Sequence, residues 1–171
     1  MRRALDLLYE TSAWLAGFSM LAILIVTLIQ ILGGVSDFFV RGTDAYAGYA
    51  MAASSFFALA STLKRGEHIR VTLIIDRFQG PTRRWLEYWC LGVAVMLSGF
   101  FAWYAWDMVY WSWEFDSRSD AMDASPLWVP QSAMALGVTI LTVAFVDEFV
   151  QVVAGRDPAR NDLSADLQHM E

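Results

Sequence analysis

Two clusters in this chain bring together side chains that could do chemistry. The first is Glu67, His68 and Asp76, an imidazole flanked by carboxylates. Such a set could exchange protons or help hold a metal ion, but no nucleophile and no second metal ligand at a regular spacing accompanies it. The second lies between Asp107 and Asp123, where Asp107, Glu114, Asp116, Asp120 and Asp123 face a single cation, Arg118. A solvated cap and a docking surface for an external protein both fit them. The one cysteine, Cys90, excludes an intramolecular disulfide and reads as a small lipid-facing or packed residue in an apolar run. No basic stripe suggests nucleic acid, so the chain is read as neither an enzyme nor a cofactor carrier.

What must position these groups is a set of long apolar segments. Hydrophobic residues make up 57% of the 171-residue chain and the mean hydropathy is +0.41, above what a soluble core of this size needs. Uncharged apolar runs cover about 13–35, 45–63, 88–106 and 127–146. Each is close to the ~20 residues that cross a ~30 Å hydrocarbon layer. None has the charged face that a water-exposed helix requires. The expected fold is all-α: an integral membrane domain of four transmembrane helices over 1–154, followed by a polar tail at 155–171. The apolar run after Arg2 and Arg3 is full length and lacks a small-residue cleavage pattern, so it is expected to remain as an anchor.

Cations set the expected orientation. Of the 12 Lys and Arg residues, ten (Arg2, Arg3, Lys64, Arg65, Arg70, Arg77, Arg83, Arg84, Arg156 and Arg160) fall in the N-terminus, the middle connection and the C-terminus. Only Arg41 and Arg118 fall in the other two connections. The positive-inside rule therefore places both termini in the cytoplasm. Tryptophans give a partly independent check, because indole prefers the headgroup zone. Trp14, Trp85 and Trp89 lie near the expected inner ends, and Trp103, Trp106, Trp111, Trp113 and Trp128 near the outer ends.

The second span carries Gly48, Ala52 and Ser55 at helical spacing, which permits close approach of another helix, in this chain or in a partner. We expect it to be the most tightly packed span. Gln30, near the outer end of the first span, suits an interfacial or interhelical hydrogen bond. Between spans two and three, the segment from Lys64 to Phe78 is too polar to cross and too apolar to float free. As a helix it gathers Val71, Ile74, Ile75 and Phe78 on one face, while its arginines reach lipid headgroups. Ile69 and Leu73 fall outside that face, yet a surface-lying helix remains the expectation. Ahead of span four, Pro126 or Pro130 can sit at an early helical position, where no internal bond is lost.

No span has an ionisable residue in its middle, and no pair of glycine-broken segments is evident. An independent ion or carboxylate carrier needs such groups at mid-membrane. A haem bundle is also disfavoured, since His68 and His169 both lie outside the spans. A four-span multidrug exporter would need a carboxylate in the first span, and none lies in 13–35. An accessory or scaffold subunit is what remains.

The stretch Gly66-Glu67-His68-Ile69-Arg70-Val71-Thr72-Leu73-Ile74 resembles the His-Ile-x-Val pattern of the small membrane subunit of tripartite ATP-independent periplasmic (TRAP) transporters, the DctQ-like family. Ser125-Pro126-Leu127-Trp128-Val129-Pro130 is similar to that family's Pro-Leu-Trp-x-Pro at the head of span four. With four spans and this length, the resemblance extends over nearly the whole chain. It implies a three-part uptake system of the bacterial inner membrane. In it a periplasmic protein captures an organic acid such as a dicarboxylate, and a large subunit carries it with sodium ions. This chain would then brace the large subunit, contact membrane lipids and help seat the periplasmic protein. The resemblance assigns His68, Ile69, Arg70 and Val71 to the inner-surface motif, and Pro126, Trp128 and Pro130 to the head of span four. It also makes Asp116, Arg118, Asp120 and Asp123 candidates for docking the periplasmic protein. For His68 a local cap or interfacial role stands beside the functional one. A four-span structural or assembly subunit of another membrane complex is the alternative.

Overall fold

The computed structural model describes residues 2–36, 42–64, 81–120 and 124–154. Among these residues there are four helices: α1 (Arg2–Val35), α2 (Thr43–Lys64), α3 (Pro81–Glu114) and α4 (Trp128–Val153). No strand occurs among the described residues, only a single antiparallel bridge between Arg118 and Pro126. The surface-lying segment expected between spans two and three, including His68, Ile69, Arg70 and Val71, lies outside the described residues, as do the tail at 155–171 and Asp123.

Three helices are long and apolar enough to cross a membrane: α1 over Leu5–Val35, α3 over Trp85–Glu114 and α4 over Trp128–Val153. α2 is more dilute in large apolar residues, because alanine, glycine and serine occupy much of its 22 residues. It has both α1 and α4 as neighbours, so much of its surface meets protein. At ~1.5 Å per residue, the 34-residue helices α1 and α3 are each about 51 Å long. That exceeds a ~30 Å hydrocarbon layer, so their ends reach into the headgroup zone or the helices stand tilted.

The packing order across the bundle is α1, α2, α4, α3, with α1 also touching α4. α1 and α3 do not pack against each other among the described residues. The core sits where α1, α2 and α4 converge. Tyr9, Ala60, Leu63 and Ala144 are buried there, with Leu5, Ile140, Leu141 and Phe145 packed around them. Small residues dominate, and Ala60, Ala135 and Val138 are fully buried, so the helices approach closely through methyl-sized contacts.

Outside this core the chain exposes large apolar side chains in bulk. Beyond Ala16 no residue of α1 is buried, and Phe18, Leu24, Ile31 and Leu32 all stand open. α3 leaves Trp89, Met96, Phe100 and Trp103 equally open. A protein surrounded by water does not expose apolar area on this scale. The chain is a membrane protein.

Candidate functional site

Three parts of the fold set how the helices and their connections are held. The first is the α1–α2 hairpin. Two serines clasp it reciprocally. Ser12 Oγ donates to the Phe57 carbonyl at 2.9 Å, and Ser54 Oγ donates to the Ala16 carbonyl at 3.2 Å. Ser12 is fully buried, so its hydroxyl satisfies its bonding inside the hairpin where no water reaches. The first turn of α2 follows Gly42, whose φ of 82° is a conformation that favours glycine.

The small residues Gly48, Ala52 and Ser55 do not line this hairpin contact. Gly48 is exposed, and a methyl group added there meets nothing within 4 Å. Ser55 is also exposed and bonds only to the Met51 carbonyl of its own helix, at 2.9 Å, while Ala52 is half-buried. Gly48 and Ser55 are thus open along α2, and contacts within the chain run through Ser54, Phe56, Phe57, Ala60 and Leu63.

The second part is the α2–α4 crossing. At Gly137 an added Cβ would lie 2.7 Å from Phe56 Cβ and 2.8 and 2.9 Å from the Phe56 carbonyl carbon and oxygen. Only the missing side chain lets α2 lie so close to α4. Phe56 also meets the Phe101 ring of α3 at 6.3 Å between centroids, linking α2 to the far hairpin. Along that hairpin, Trp106 Nε1 donates to Thr139 Oγ1 at 3.1 Å and Tyr88 Oη donates to the Val152 carbonyl at 3.4 Å.

The third part is the connection between α3 and α4. The helix does not stop where the apolar run ends; it continues through Asp107 to Glu114, so those two carboxylates stand on α3 and not in a loop. Its end is a double bond pattern, Asp116 N–H to the Trp113 carbonyl at 3.2 Å and Ser117 N–H to the Ser112 carbonyl at 3.0 Å. This is the Schellman arrangement, with Asp116 at φ 45° in the left-handed position that glycine usually fills. The chain then doubles back. Ser119 N–H donates to the Ser125 carbonyl at 2.8 Å and Leu127 N–H to the Ser117 carbonyl at 3.0 Å, either side of the Arg118–Pro126 bridge.

Within that loop Arg118 grips Asp116, with Nη2 and Nε at 3.0 and 3.3 Å from the same carboxylate oxygen. Both side chains are more than half exposed, so the pair orders the turn without adding much stability. Asp120 is exposed and Asp123 lies outside the described residues. Pro126 pairs with Arg118 in the bridge, and Tyr49 Oη and Ser125 Oγ lie 3.1 Å apart, which ties the loop to α2. Trp128 opens α4 and meets Trp113 edge-on at 5.0 Å. Pro130 is the third residue of α4, where its missing N–H would have had no acceptor within the helix.

These parts can seat, brace and orient, and they offer no converging set of reactive groups among the described residues. Comparison with protein families decides what they belong to. Residues 23–155 match the family described as tripartite ATP-independent periplasmic transporters, DctQ component. The chain belongs to the DctQ family. No similar sequence is found among curated proteins. As a DctQ component, the chain is a small membrane subunit of a TRAP transporter, and the matched region includes α2, α3 and α4 with the C-terminal part of α1 from Ile23 onward. The family is a component of a transporter, not an enzyme, in keeping with the expectation from the residues.

Most of the interhelical contacts were not singled out in the sequence. Ser12, Ser54, Gly137 and the Trp106–Thr139 pair carried no distinguishing pattern. A glycine inside an apolar run, as at Gly137, is the kind of signal that could have pointed to close approach.

Proposed function

We propose that this DctQ component braces the large membrane subunit of its transporter during sodium-coupled uptake of an organic acid, such as a dicarboxylate, across the bacterial inner membrane. The observation that carries this reading is the family match over residues 23–155, joined to apolar helix faces that hold no ionisable group at mid-span. A bare ion or carboxylate is costly to hold at mid-membrane without such groups, which favours ion and substrate sites in the partner. Gly48, Ala52 and Ser55 form the face of α2 that we assign to a helix of the large subunit, because the chain's own helices leave it open. The termini are cytoplasmic in this reading, which puts the inner-surface motif of His68, Ile69, Arg70 and Val71 against lipid headgroups.

The loop after α3 then faces the periplasm and helps to seat the binding protein. Arg118 and Asp116 pair within the loop, and we assign Asp116, Arg118, Asp120 and Asp123, with Glu114 beside them, to contact with the binding protein. Pro126, Trp128 and Pro130 fix the angle at which α4 leaves that loop. The test is purification of the tagged chain in mild detergent together with uptake in vesicles. Recovery of the large subunit, and loss of sodium-dependent uptake when this chain is deleted, are the expected results. Recovery of no large membrane partner would overturn the bracing role. Neutralising Glu114, Asp116, Asp120 and Asp123 together should weaken association with the binding protein; unchanged association at low salt would overturn the docking role alone.

A further inference from the structure

We draw no further inference here: the strongest candidate, the exposed aromatic cluster of Trp111, Trp113 and Phe115 at the C-terminal end of α3, carries nothing because the structure does not show whether lipid headgroups or a protein surface covers it.

Discussion

Replacing Gly137 with alanine would insert a methyl carbon 2.7 to 2.9 Å from three atoms of Phe56, two of them backbone. A flexible side chain could swing away from such a contact, but a helical carbonyl cannot. To restore an ordinary separation of ~3.5 Å, α2 and α4 must part by roughly 0.6 to 0.8 Å along the crossing. Overpacking of this kind costs about 1–3 kcal/mol, while alanine returns up to ~1 kcal/mol of helix propensity. With the full propensity gain, the expected net destabilisation of Gly137→Ala is therefore about 0–2 kcal/mol, and about 1–3 kcal/mol relative to a glycine-to-alanine change that meets no clash. Gly99→Ala is the internal control, since its added methyl meets only Thr142 Cγ2 at 3.9 Å, an ordinary contact. It should be neutral or slightly stabilising. Denaturant titration of the purified chain in one detergent, followed by tryptophan fluorescence, compares the two directly. If Gly137→Ala proved as stable as Gly99→Ala, the close approach at Phe56 would not be what sets the α2–α4 crossing.

Four further outcomes follow from the same structure. Changing Ser12 and Ser54 together to alanine should destabilise the α1–α2 hairpin by roughly 1–2 kcal/mol in that titration, at about 0.6 kcal/mol or more per interhelical bond. Ala124→Gly should raise the thermal midpoint slightly, because Ala124 holds φ 47° and glycine relieves a strain of about 1 kcal/mol. Trp106→Phe and Thr139→Val should each lower stability by up to ~1 kcal/mol, with the double variant losing less than the sum, since both remove one bond. Gly48→Leu should leave the isolated chain as stable as the parent, given the open space around Gly48, yet reduce recovery of the large subunit in pull-down. Undiminished recovery would detach the small-residue face from assembly.

Much of the fold was legible in the chain because bilayer physics acts on segments, not on tertiary contacts. The length of the apolar runs and the absence of mid-span charge gave the helical membrane class, and two short patterns around His68 and Pro126 pointed to the DctQ family. Which face of each helix packs was another matter. A helix that is apolar all round has no polar face to point away from its neighbours, so its orientation is not written in periodicity. Gly48 and Gly137 show this. Both are glycines inside apolar runs, and the small residues around Gly48 made it the more evident packing site, yet within the chain the close approach occurs at Gly137.

The end of α3 makes the same point on a smaller scale. Charges at Asp107 and Glu114 mark an end to the apolar run, but they do not forbid helix. Backbone bonding carries α3 on to Glu114, and the left-handed Asp116 closes it. That turn, the Arg118–Asp116 pair and the Arg118–Pro126 bridge depend on residues that meet only once the chain has doubled back. The sequence by itself determined that these helices belong in a membrane, because transfer of apolar side chains from water depends on composition. Only the tertiary structure decided which residues touch, because close packing depends on shapes that form when helices meet.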